Sequence, residues 1–149
     1  MKKILLFIIF GFVFCLLGTN KVFAQSEEQL LEINGKKANK ACKVTYEKDY
    51  KIKLLEGTPA PQSKFTVVLT KNVQYRFVIV SSRDFPGQGI FKLYDNGKVV
   101  LNSYQENTDT VMDVIDFNCT KTGPYHIFCE FKDGMAGNAV LGLYVVRIL

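Results

Sequence analysis

His126 is the only histidine in this chain of 149 residues. Acid–base or nucleophilic chemistry near neutral pH would therefore have to run through one imidazole. A triad built on it would need a serine or cysteine nucleophile alongside and an acid behind. Ser103, Cys119 and Asp116 lie on runs that strands can bring close, but no Gly-x-Ser-x-Gly elbow marks a nucleophile. No catalytic residue is assigned, and a small secreted hydrolase using His126 is the minor reading. Asp109, Asp113 and Asp116 are spaced four and three apart on an expected strand, so they do not share one strand face. They read as solvated carboxylates. Calcium takes six to eight oxygens, and the better candidate ligands are Asp133 and Asn138 with the carbonyls of the Gly134 to Gly137 loop. No other cofactor is suggested, and no Cys-x-x-Cys spacing supports zinc.

Aromatic side chains offer a different chemistry, because flat rings stack on sugar faces. The chain has seven Tyr and twelve Phe but no Trp. Most Phe outside the first 24 residues fall on alternating strand positions and read as core. Tyr94 and Tyr104 flank an Asn-Gly turn and are the candidate ligand-binding rings, with Arg83 and Gln88 as polar partners.

The elements that must position these residues begin after a leader. Lys2 and Lys3, the apolar run Ile4 to Leu17 and the Val22-Phe23-Ala24 cut site have the layout of a secretory signal, so residues 1–24 are expected to be removed and residues 25–149 to form one domain. The run of 14 residues falls short of the roughly 20 that span a bilayer. Phe14 before Cys15 does not fit a lipobox. Contact with the membrane is thus expected only through the leader before cleavage, and the location is periplasmic or secreted. Loss of Lys2, Lys3 and Lys21 takes the formal charge from +5 to +2. Lys36, Lys37, Lys40 and Lys43 are not interleaved with aromatics, which argues against nucleic acid. Three cysteines remain after the leader, Cys42, Cys119 and Cys129. Buried free thiols are the favoured reading, with a bridge from Cys42 to either of the others left open.

Ser26-Glu27-Glu28-Gln29 has capping-box form, and Asn34-Gly35 is expected to stop that helix after one or two turns. Strands are expected near 44–55, 64–70, 73–81, 89–95, 98–103, 111–118, 124–131 and 139–147. Val73, Tyr75, Phe77 and Ile79 alternate with polar residues and form an inward face. Lys71-Asn72 is expected to close a hairpin between the second and third runs. Asn96-Gly97 suits a type I′ turn, whose two central residues need positive φ, and joins the fourth run to the fifth. A tight turn about Lys121-Thr122 leads into the strand whose inward face is Tyr125, Ile127, Cys129 and Phe131. The fold class is all-β, a single antiparallel β-sandwich of about eight strands, jelly-roll-like, after a short helical segment.

Phe91-Lys92-Leu93-Tyr94-Asp95-Asn96-Gly97 and Lys121-Thr122-Gly123-Pro124-Tyr125 resemble two motifs of the bacterial pre-peptidase C-terminal (PPC) domain, a Leu-Tyr-Asp turn and a Thr-Gly-x-Tyr strand. The resemblance covers roughly residues 64–147. It implies a jelly-roll-like sandwich that accompanies secreted enzymes and serves secretion, adhesion or substrate contact. The family usually follows a protease domain, where a leader and lead-in are expected here. Gly89, Ile90 and Phe91 stand where acidic residues often precede the Leu-Tyr-Asp turn. The layout also resembles small exported Bacteroidetes domains, and Asp109-Thr110-Val111 resembles their O-glycosylation acceptor. The function expected is that of an exported non-catalytic module binding a protein partner or envelope component. A carbohydrate-binding module that takes an envelope glycan is the alternative.

Overall fold

A computed structural model describes residues 24–149. Residues 1–23 of the leader, Cys15 among them, lie outside the described residues. Helix α1, Glu27–Ala38, opens with the expected capping box: Gln29 N–H donates to Ser26 Oγ at 3.2 Å and Ser26 N–H donates to Gln29 Oε1 at 3.1 Å. It does not stop at Asn34-Gly35 but continues to Ala38, 12 residues in all. Burial of Asn34 is the reason. Its Nδ2 donates to Val78 O at 2.8 Å and Val140 O at 3.1 Å, while Tyr144 Oη donates to its Oδ1 at 2.8 Å. Leu30, Asn34 and Ala38 recur every fourth residue, so one helix face packs on Val78, Val80, Val140 and Tyr144. Those contacts outweigh the cost of about 1 kcal/mol that a mid-helix glycine carries.

The strands are β1 (Thr45–Leu54), β2 (Ser63–Leu69), β3 (Val73–Ser81), β4 (Gly89–Asp95), β5 (Lys98–Asn102), β6 (Tyr104–Gln105), β7 (Thr110–Val111), β8 (Val114–Asn118), β9 (Gly123–Phe131) and β10 (Gly137–Ile148). Sheet I has the order β1-β10-β3-β8 and sheet II the order β2-β9-β4-β5, each four-stranded, while β6 and β7 form a separate ribbon. All pairings are antiparallel. With the ribbon set aside, the two sheets take strands one, eight, three and six, and two, seven, four and five, which is jelly-roll order. The eight-residue run at 111–118 is divided, Val111 belonging to the ribbon and Val114–Asn118 forming β8.

That connectivity corrects one expected hairpin. Asn72 has positive φ, at 63°, yet β2 and β3 are no hairpin: β2 pairs with β9 while β3 pairs with β10 and β8. The turn about Lys121-Thr122 likewise carries the chain from β8 in sheet I to β9 in sheet II. Changing sheets lets the apolar faces of consecutive strands meet across one core, whereas a hairpin would set them side by side. Asn96-Gly97 does close a hairpin, with φ of 48° and 78°, and β4 pairs with β5 through one register shift at Leu93/Tyr94.

Between the sheets lie Tyr75, Phe77 and Ile79 of β3, Phe91 and Leu93 of β4, Tyr125, Ile127, Cys129 and Phe131 of β9, and Leu141 and Leu143 of β10. Phe77 and Phe91 meet across the gap with ring centroids 5.6 Å apart. Val73 packs at the margin of this core. On the outer side of sheet I, Arg76 is buried and holds Asp116 through two bonds, Nε–Oδ1 at 2.6 Å and Nη2–Oδ2 at 2.8 Å. Its Nη1 donates to Ala38 O at 2.8 Å, so a cation meets the negative end of the helix. The Asp116 bonds raise the Arg76 pKa further. Sheet edges fall at β1, β8, β2 and β5, and β1 has a register shift between Tyr46 and Lys48.

Gly142 sits beneath Asn34. A Cβ there would lie 2.2 Å from Asn34 Oδ1 and 2.7 Å from the Tyr144 ring. Asn34→Ala is expected to destabilise the domain by about 1–3 kcal/mol, since it removes a donor from two carbonyls and leaves the Tyr144 hydroxyl without its acceptor. Gly142→Ala is expected to cost at least as much. Urea unfolding checks both, as a lower midpoint at unchanged slope.

Candidate functional site

Sheet II leaves its outer face uncovered by any helix among the described residues, and the period of two decides what it displays. In β9 the inward set is Tyr125, Ile127, Cys129 and Phe131, so His126, Phe128 and Glu130 point out. Register sets Thr66, His126 and Tyr94 in one row and Lys64, Phe128 and Lys92 in the next. Tyr94 and Phe128 are diagonal neighbours with ring centroids 4.8 Å apart and planes tilted by 56°. Lys64 Nζ stands 4.9 Å from the Phe128 centroid. Thr66 Oγ1 and His126 Nδ1 share a hydrogen bond of 3.1 Å. Glu130 accepts from Gln62 Nε2 at 2.6 Å and faces Lys92 Nζ at 3.9 Å.

Tyr104 lies toward the other end of this face. Lys132 Nζ sits 5.7 Å from its ring centroid and 2.7 Å from Asp109, and Tyr104 Oη donates to Asp109 Oδ1 at 2.7 Å. Hydrogen bonds from Lys132 first and Tyr104 second hold the Asp109 carboxyl below its ordinary value, and the bond to Asp109 pushes the Tyr104 phenol up. Ser103, next to Tyr104, is bonded to Phe91, three positions along β4 from Tyr94, or about 10 Å. The two tyrosines thus share one side of the sandwich without forming one cradle.

Arg83 and Gln88 are not brought to them. They line a groove of about 220 Å³ with Gln25, Lys37, Ser81 and Asp113, on the side that carries α1. Asp133 occupies a 3₁₀ turn with φ of 58°, whereas Asn138 is in β10 opposite Lys53. Two carbonyls of that loop accept hydrogen bonds, Gly134 O from Gly57 N–H at 3.0 Å and Ala136 O from Gly87 N–H at 2.9 Å. The two candidate ligands thus stand on different elements, the 3₁₀ turn and β10. Among the described residues no three His, Cys, Asp or Glu side chains gather to hold a metal ion. The three aspartates spaced along the 109–116 stretch each face a cation, Asp109 with Lys132, Asp113 with Lys37 and Asp116 with Arg76.

Nor do the residues weighed as partners of His126 surround it. The Ser103 hydroxyl is buried and accepts from Phe91 N–H at 2.8 Å, Cys119 Sγ donates to Lys121 O at 3.1 Å, and Asp116 is committed to Arg76. The neighbours of His126 are Thr66 and Tyr94. Phe128, Lys64 and Thr66 were not singled out by the sequence reading. The signal for Phe128 was present, since it is an aromatic residue out of phase with the inward set of its own strand.

Among solved structures, the chain is similar to the pre-peptidase C-terminal domain of collagenase from Bacillus anthracis, with a TM-score of 0.50 and 16% identity over 66% of this chain and 90% of that one. The fold is PPC-like. No protein-family model matches the chain, and no curated protein does.

Inside the PPC-like sandwich, Cys119 and Cys129 are buried free thiols, as expected. Burial pushes the Cys129 thiol up to about 12. Cys42 is also free but exposed rather than buried, because it follows the end of α1, where Arg76 Nη1 reaches its Sγ at 3.6 Å. Ellman's reagent is expected to titrate one thiol of residues 25–149 when folded, Cys42, and all three cysteines in denaturant. Rapid reaction of a second thiol in the folded protein would contradict this placement.

Proposed function

We propose that the protein is an exported, non-catalytic binding module, periplasmic or released, that meets a protein or other envelope component through the outer face of sheet II. The asymmetry between the two sheets carries this reading. Helix α1 closes the outer face of sheet I, while sheet II displays Tyr94, Phe128, Thr66, His126 and Lys64 across three adjoining strands. Antiparallel sheets commonly keep one solvated face, and such faces are mostly polar. Paired aromatic rings on that face gain from being covered. The PPC-like fold supports a non-catalytic role.

A carbohydrate-binding module is the second reading, favoured by the Tyr94–Phe128 pair. Its half-buried rings offer stacking surface, and Thr66 and His126 stand beside it as hydrogen-bonding groups. The test is retention of tagged residues 25–149 on an isolated envelope fraction. Replacing Tyr94 and Phe128 together by Ala is expected to weaken retention about tenfold or more, with the fold intact by circular dichroism. Undiminished retention would exclude this face. Loss of retention after protease treatment of the envelope supports a protein partner, and competition by soluble glycans supports the second reading.

A further inference from the structure

Gln25, the first residue expected after leader removal, is seated against the segment that follows β3. Its backbone nitrogen donates to the Asp84 carboxylate, and its side-chain Oε1 accepts from Arg83 N–H at 3.0 Å. Asp84 is itself fixed. Its amide donates to Ser82 Oγ at 3.2 Å, and that hydroxyl donates to Asp84 Oδ2 at 3.2 Å. Ser82 is buried, and its own amide donates to Asn138 O of β10 at 2.7 Å. The carboxylate is therefore tied to the ends of two central strands of sheet I. Gln25 also walls the groove of about 220 Å³ that contains Arg83 and Gln88, which gives those two residues a neighbour that the binding face does not supply.

We propose that Asp84 is a receptor for the α-ammonium group that leader removal creates on Gln25. The inference rests on the export reading, with cleavage between Ala24 and Gln25. Before cleavage the Gln25 nitrogen belongs to a peptide bond and brings one hydrogen and no charge. Hydrolysis adds water across that bond, so the leader departs with the Ala24 carboxylate and Gln25 keeps an amine. An α-amino group has a pKa near 8 and is mostly protonated at neutral pH. A full positive charge then appears at an atom already in hydrogen-bond contact with a carboxylate, and charge-assisted bonds are about twice as strong as neutral ones. Removing the leader thereby strengthens the attachment of the segment entering α1, two residues further on, to the end of sheet I.

The same seat protects the amine. An N-terminal glutamine can cyclise when its free amine attacks its own Cδ and expels ammonia. A protonated nitrogen held by Asp84 has no lone pair for that attack, and the Arg83 amide holds the side-chain carbonyl.

All described helices and strands lie within residues 25–149, so that chain carries the complete described fold. It is compared with residues 21–149, which carry a short stretch of leader, each with Asp84 and with Asp84→Asn. The free-amine chain is expected to melt about 2–4 °C above the extended one. The difference should vanish in Asp84→Asn and shrink in about 0.5 M salt. A difference that survives Asp84→Asn, that ignores salt, or that is absent from the start overturns the receptor. Intact mass of the protein recovered after export separates this failure from that of the cleavage reading. A chain beginning anywhere but Gln25 overturns the inference through the cut site, and one lighter by an ammonia overturns it through the loss of the amine.

Discussion

Asn34 bonds to the carbonyls of two neighbouring strands at once, and the placement of helix α1 over sheet I follows from that attachment. The helix crosses β3 and β10 where Gly142 leaves room, and Tyr144 supplies the remaining donor. Arg76 fixes the other end by joining Ala38 O to Asp116 of β8. Sheet I is consequently buried on both faces over β3 and β10. This explains why the alternation of Val73 to Phe77 gives way to the continuous apolar run Phe77 to Val80. Half of that run faces the sandwich and half faces the helix.

What the sequence made legible is what a single strand encodes. Period-two alternation located eight strands to within a few residues, and Asn96-Gly97 identified the β4–β5 hairpin because both residues had to reach positive φ. Strand pairing is not encoded so locally. The turns at Asn72 and Lys121-Thr122 have hairpin composition, but the jelly roll sends each strand pair to opposite sheets, a decision made by burial across the whole domain. The length of α1 escaped for a related reason. Asn34 and Gly35 are poor helix residues alone, and Asn34 is stabilised there by partners 44 and 106 residues away.

The outer face of sheet II was half legible in the sequence. Tyr94 was found from its turn and Phe128 was passed over, although reading β9 in two phases separates it from the core set. Arg83 and Gln88, expected as polar partners of the tyrosines, lie on the helix side, to which the crossing between sheets carries them. One face thus gathers aromatic and hydrogen-bonding groups, and the opposite end gathers the groups around Gln25. No residue on the outer face of sheet II lines the groove, so changes at one can accumulate without altering the other.

The four sheet edges are unequal in how they would meet another copy of the chain. Strand β1 is ten residues long, but Lys48, Lys51 and Lys53 line it and a bulge interrupts its first half. Charge and irregular geometry discourage the end-on growth of sheets that long bare edges invite. Strand β5 is half that length and exposes both Val99 and Val100. At the β5 edge the safeguard against fibre growth is therefore its shortness rather than its composition, and lengthening that strand by apolar residues would remove it.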